Sequence, residues 1–132
     1  MGCIFCATGK LGFSRSLLPG EMLAQLAIAA EDFPGSRISN VVAMGQGEPF
    51  ANYDATLCAL RMMNSSLLFG IGARHITVSS AGLVSQIRRF ADEMEQFTLA
   101  ISLHGAEQPV RDHLMPGLSS QPLDALHKAL LF

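Results

Sequence analysis

The apolar positions of this chain switch repeatedly between helical and strand spacing. Met22, Leu26 and Ala29 recur at helical intervals from Pro19 to about Ala30, and Phe33-Pro34-Gly35 ends that helix. Pro19 suits the first turn, and Glu21 the third position, where a carboxylate reaches the free amides at the positive end of the helix. Leu18, in the capping position, offers no acceptor. Ile38 to Met44 (I-S-N-V-V-A-M) is a β-branched run that reads as a buried strand, and it leads straight into Gly45-Gln46-Gly47-Glu48-Pro49. A second helix is expected from about Asn52 to Asn64, with Tyr53, Leu57 and Leu60 on one face. His75 to Val78 reads as the next strand, ending in Ser79-Ser80-Ala81-Gly82. Leu83, Ile87, Phe90 and Met94 mark the clearest amphipathic helix. Phe97 to Leu103 is a further strand that ends in His104-Gly105. A short helical segment from Gln108 to Leu114 and a last helix from near Pro122, using Leu123, Leu126 and Leu130, complete the pattern.

Helices and strands alternating at this spacing form βαβ units around a parallel sheet, so the fold class is α/β. In such folds ligands bind at the C-terminal ends of the strands. Three strand ends carry the polar and Gly-rich residues here: Gly45–Pro49, Ser79–Gly82 and Ser102–Gly105. A loop holding Cys3 and Cys6, entered from a strand ahead of Met1, joins them on the same rim.

Each rim segment has more than one chemistry. Cys3 and Cys6 form a C-x-x-C pair, which can hold a metal, carry a reversible disulfide or simply pack. The glycines around Glu48 allow close backbone approach to a ligand, and Glu48 offers an acceptor to an amine or hydroxyl, or is an exposed carboxylate on a turn. The segment lacks the G-K-[ST] of a phosphate-binding loop. Ser79 and Ser80 are small donors and acceptors, or caps for the helix that follows. His104 is a ligand, a hydrogen-bond donor or a filler. No nucleophile–base pair recurs at the rim, so an enzyme built this way borrows its chemistry from a cofactor.

Composition narrows the setting. The 132 residues suit one domain, with 49% hydrophobic and 15% charged residues and no repeat. No apolar run reaches the roughly 18 residues of a membrane span, no signal peptide is visible, and three cysteines do not make a secreted disulfide framework. The cytosol is the default, with no membrane partner. A net charge of −2, with only Arg88 and Arg89 adjacent among nine basic residues, excludes a nucleic-acid surface built from this segment alone. Met1 stands just ahead of the cysteine motif and the chain stops on Leu130-Leu131-Phe132. Both ends read as cuts, so the chain is expected to be a fragment of a longer protein.

Taken in order, six segments resemble the radical S-adenosylmethionine (SAM) superfamily and, within it, the RlmN/Cfr type of RNA adenine methyltransferase. They are C-I-F-C-A-T-G-K-L-G-F-S-R-S-L (Cys3–Leu17), G-E-M (Gly20–Met22), M-G-Q-G-E-P (Met44–Pro49), V-S-S-A-G (Val78–Gly82), L-A-I-S-L-H (Leu99–His104) and R-D-H-L-M-P (Arg111–Pro116). The resemblance covers essentially the whole chain. It implies a partial (β/α) barrel truncated at both ends, residues 1–132 being part of the radical SAM core without its first strand, the N-terminal domain or the C-terminal third.

The resemblance also implies a [4Fe-4S] cluster on three thiolates, with the fourth iron open to SAM. Cys3 and Cys6 match the second and third cysteines of C-x-x-x-C-x-x-C, and the first would lie ahead of Met1. Gly47 and Glu48 match the family's SAM-binding pair, Ser79 a SAM-contacting serine, and Ser102, Leu103 and His104 a further SAM-contacting tripeptide. The implied reaction methylates carbon 2 of adenine 2503 in 23S rRNA and of adenine 37 in tRNA. One SAM methylates a cysteine, and a second is cleaved to a radical that activates that methyl. Both catalytic cysteines of the family lie outside this chain, so no catalytic residue is assigned, and Cys58 is assigned to packing. An electron donor such as flavodoxin is implied as a partner, beside the two RNAs.

Two departures concern the RNA-facing details: Gly105 stands where the family usually has Ala, and Gly117-Leu118-Ser119-Ser120 lacks the basic residues common after M-P. Competing readings are a carbon-8 adenine methyltransferase or another radical SAM branch, a small zinc or thiol-redox module, and an inactive gene fragment.

Overall fold

A computed structural model describes residues 1–131. Three strands, β1 (Val41–Ala43), β2 (Ile76–Ser80) and β3 (Thr98–Ile101), form one sheet in the order β1-β2-β3, with both pairs parallel. Val41 pairs with Ile76 and Ala43 with Val78. On the other side Thr77 pairs with Thr98 and Ser80 with Ile101. The helices are α1 (Ala7–Lys10), α2 (Pro19–Asp32), α3 (Tyr53–Asn64), α4 (Val84–Ala91), α5 (Gln108–Leu114) and α6 (Leu123–Leu130). The alternation read from the sequence is therefore the architecture observed.

The pleat sorts the strand residues by face. Ile76, Val78, Leu99 and Ile101 point into a core with Leu57 and Leu60 of α3, Ile87 and Phe90 of α4 and Leu126 of α6. Helices α2 and α3 lie against each other, as do α4 and α6. The opposite face has no such cover: Val42 is 54% exposed and Thr98 is exposed. One side of the sheet is thus sealed by helices and the other is open, with the polar strand ends at its C-terminal edge.

Several boundaries differ from the sequence reading for identifiable reasons. β1 pairs over only three residues of Ile38–Met44, because it is an edge strand cut short by glycines, and Asn40 turns its side-chain amide to His75 Nδ1 at 3.2 Å. β2 starts at Ile76 because Ala73–His75 forms a 3-10 turn, and it runs on through Ser79 and Ser80 because β3 continues to pair there. α1 is a single turn directly after Cys6, where no helix was expected, and it overlaps the start of a loop read from Gly9 to Ser16. Met94, expected on the apolar face of α4, is 96% exposed because that helix ends at Ala91. Cys58 is also exposed and not packed: Leu57 and Leu60 set the buried side of α3, and position 58 falls off that stripe.

Glu21 does stand in for the missing cap of α2. Its Oε2 accepts the Leu18 amide at 2.8 Å, and Arg15 grips both carboxylate oxygens at 2.6 and 2.8 Å. Arg15 first, then the Leu18 amide, lowers the Glu21 pKa to about 2.

Candidate functional site

At the end of β1 the chain turns through Gly47 at φ +118°, a conformation that strains any residue bearing a β-carbon. The turn delivers Glu48 to the cap of the 3-10 turn Pro49–Asn52, where its Oε1 accepts the Phe50 amide at 3.0 Å. Its Oε2 accepts the Ala81 amide at 2.6 Å, just past β2. The carboxylate thereby bridges the ends of two neighbouring strands. A charge-assisted bond of this kind is worth about twice a neutral one.

At the end of β2, Ser79 is buried and its Oγ lies 3.3 Å from Ser102 Oγ, at the end of β3. The sheet ladder extends one step further through the Ser102 amide, which donates to Ser80 O at 2.9 Å. Ser80 Oγ accepts the Gly82 amide at 3.0 Å. Past β3, Leu103 is 42% exposed and His104 takes a left-handed backbone at φ +57°, with its ring centroid 4.3 Å from that of Phe5.

Phe5 is the aromatic between the two cysteines, so this stack brings the cysteine loop to the end of β3. Two backbone bonds fix the loop there: the Ile4 amide donates to Leu114 O at 3.0 Å, and the Gly117 amide to Met1 O at 3.1 Å. Gly117 has no β-carbon to obstruct this approach; one placed there would come within 2.4 Å of Met1 O. Cys3 packs on Ala81, Met115 and Leu118. The edge of the sheet therefore gathers Cys3 and Cys6 with Gly47, Glu48, Ser79, Ser102, Leu103 and His104.

The donor set suits a soft metal centre as far as it goes. Cys3 and Cys6 are both free thiols and half-buried. Hydrogen bonds from the Gly9 amide and from the hydroxyl and amide of Thr8 lower the Cys6 pKa below the usual cysteine range, favouring the thiolate that iron and zinc bind. Among the described residues no group of three His, Cys, Asp or Glu is arranged to hold a metal ion.

Arg111 opens the R-D-H-L-M-P segment, and its place in the sequence points to no particular role. It is 0% exposed, and its guanidinium lies under the rim. Nη1 donates to Ser102 O at 3.2 Å and Leu103 O at 2.8 Å, and Nη2 donates to Ala81 O. Among the described residues it forms no ion pair, and Nε has no partner. Burial lowers its pKa, while Asp112 and Cys3 act in the opposite direction; an arginine stays charged through such shifts. Nothing in local sequence reveals this, because the three acceptors are backbone carbonyls of two other segments.

No family model matches the chain, whereas comparisons with individual proteins are informative. It is 45% identical over 129 residues to a probable dual-specificity RNA methyltransferase RlmN of Akkermansia muciniphila, covering 98% of this chain and 36% of that protein. It is 48% identical over 126 residues to the protein of that name in Synechococcus sp. strain JA-2-3B'a(2-13), covering 96% and 35%. A radical SAM methyltransferase from Sphaerobacter thermophilus superposes with a TM-score of 0.89 at 43% identity, over 97% of this chain and 38% of that one. The chain spans a little over a third of the length of the relatives it matches. Over that span, its parallel sheet, its cysteine loop and its sequence place it in the RlmN-type radical SAM family.

Proposed function

We propose that this segment is the cluster- and SAM-holding part of a radical SAM core domain in an RNA methyltransferase acting on carbon 2 of adenine, at adenine 2503 of 23S rRNA and adenine 37 of tRNA. The observation that carries the reading is the meeting of a free thiol pair with Gly47–Glu48, the Ser79–Ser102 hydroxyl pair and Leu103–His104 on one sheet edge. In this reading Cys3 and Cys6 are two of the three thiolates of a [4Fe-4S] cluster, a donor type that suits iron–sulfur centres. The cluster, when bound, supplies the electron for SAM cleavage.

The remaining roles belong to the chain's own residues. After accepting two amides, the Glu48 carboxylate keeps lone pairs for the ammonium of SAM. Gly47 leaves the backbone open to the ligand. Ser79 and Ser102 cannot both donate to each other, so one hydroxyl proton is free for a SAM oxygen. Exposed Val42, Met44 and Leu103 are apolar side chains left uncovered along β1 and past β3, available to pack on a bound ligand.

RNA contacts come from outside the segment, whose net charge is −2. The electron comes from a small redox protein such as flavodoxin, in the cytoplasm. No helix of the described residues is long and apolar enough to cross a membrane.

The test is to load the full-length protein with iron and sulfide and incubate it with SAM, a reductant and either RNA. Mass spectrometry then locates any new methyl group. Methylation at carbon 2 in both RNAs, lost in Cys3→Ala and Cys6→Ala, is the expected outcome. A product methylated at carbon 8, or transfer that survives the loss of both cysteines, would overturn the reading.

A further inference from the structure

Ala81 is held from both sides by charged side chains. Its amide donates to Glu48 Oε2 and its carbonyl accepts from Arg111 Nη2. The same guanidinium holds the carbonyls of Ser102 and Leu103. The ends of all three strands are therefore tied into one chain: Glu48 past β1, Ala81 past β2, and Ser102 and Leu103 past β3. The planar fork of arginine is the side chain suited to this, since two nitrogens must reach carbonyls on different segments at fixed angles, while the single ammonium of lysine cannot.

The fold makes room for that fork. Gly82 sits at φ +103°, and a β-carbon there would lie 2.9 Å from Arg111 Nη2. Met115 Sδ lies 3.6 Å from Nη1, closing the other side. A fully buried guanidinium bonded only to neutral groups is costly to desolvate, and its place directly beneath the rim calls for an explanation.

We propose that Arg111 is a positioning residue of the cofactor rim: together with Glu48 it clamps the ends of the three strands into the arrangement that SAM requires. This rests on the cofactor reading above. It assigns Arg111 no contact with SAM and no part in the chemistry. Its effect is carried by the backbone at Ala81, Ser102 and Leu103.

The experiment compares Arg111→Lys, Arg111→Met and, as a core control, Leu60→Ala in the full-length protein. It reads amide hydrogen exchange without SAM, and SAM affinity by equilibrium binding after cluster loading. In both Arg111 variants, exchange at residues 81–82 and 103–105 should accelerate at least tenfold more than exchange at Thr77 and Val78, which reports any loss of global stability. SAM affinity should fall at least tenfold, and lysine should not restore it. Leu60→Ala should lower thermal stability yet leave rim exchange and SAM affinity at wild-type values. If Arg111→Met does not fold, Arg111→Lys decides. Wild-type rim exchange and SAM affinity in Arg111→Lys would overturn the proposal, because charge alone would then suffice. If the wild-type protein fails to bind SAM, the cofactor reading falls, and the exchange measurement still decides the clamp.

Discussion

Two regions of this molecule use arginine in opposite ways. On the outer surface of α3 and α4, Arg61 is 46% exposed at its side chain and pairs with Glu95 at 2.5 Å and Glu93 at 2.8 Å. Arg89 pairs with Asp54 at 2.6 Å and lies 4.1 Å over the Tyr53 ring. These guanidinium groups meet carboxylates in water. Under the rim, Arg111 is sealed from solvent and meets only backbone carbonyls and a sulfur. The outer pairs decorate two helices that core packing already holds, through Leu57, Leu60, Ile87 and Phe90. The rim lacks such packing on its open side, and there charge on backbone dipoles substitutes for apolar contact. Geometry at the site is therefore expected to depend on a few polar bonds, and geometry elsewhere on area buried.

That contrast makes ordered predictions. Arg111→Met should have the largest effect, destabilising by about 3 kcal/mol, since it removes several bonds to a charged donor and strands buried carbonyls. Urea unfolding measures this, and a loss comparable to that of a surface arginine would break the contrast. Glu48→Gln comes next, at about 1–3 kcal/mol, because the new amide group turns a donor toward the amide of Ala81 or Phe50. The same variant should weaken SAM binding by roughly tenfold or more while leaving cluster absorbance unchanged. Full retention of both stability and SAM affinity in Glu48→Gln would remove the carboxylate from the clamp.

Arg61→Ala should cost less than about 1 kcal/mol, and less still in high salt, because the Arg61 side chain is 46% exposed and water and ions screen the pairs. A cost unaffected by salt would show that the outer pairs are not surface ion pairs of the ordinary kind.

The smallest effect belongs to Glu21, and its sign follows from its pKa. The folded value is about 2, against an ordinary 4.5. The folded state therefore favours the ionised carboxylate, and this contribution is present above pH 4.5 and lost as pH falls toward 2. Glu21→Gln should flatten the acid limb of the stability curve in that window, because the variant lacks, at neutral pH as well, the small contribution that the wild type loses on acidification. An unchanged acid limb would show that the Arg15 grip on Glu21 does not persist in solution.

Much of this was legible in the sequence because it is periodic or local. The alternation of helical and strand spacing gave a parallel sheet, and punctuation by Gly, Ser and Pro marked the strand ends that form the rim. The six motifs in order carried the family. What escaped was set by tertiary neighbours. Arg111 looked like an ordinary residue on a short helix, since its acceptors are carbonyls 8 to 30 positions away. Glu48 looked free to bind a ligand, while its nearest partner, the Ala81 amide, lies 33 positions on. Met94 continued an apolar spacing past a helix end that the adjacent Asp92-Glu93 already hinted at. Cys58 could have been placed outside by its angle from Leu57 and Leu60.

The central claim is that the ends of three parallel strands, beside Cys3 and Cys6, form the surface that receives SAM. Hydrogen exchange of the cluster-loaded full-length protein, with and without SAM, tests it most directly. Protection gained on SAM addition at residues 44–48, 79–82 and 102–105 together, with the outer faces of α3 and α4 unchanged, is the result this account predicts. Protection that appears at α3 and α4, or at none of the three strand ends, would contradict it.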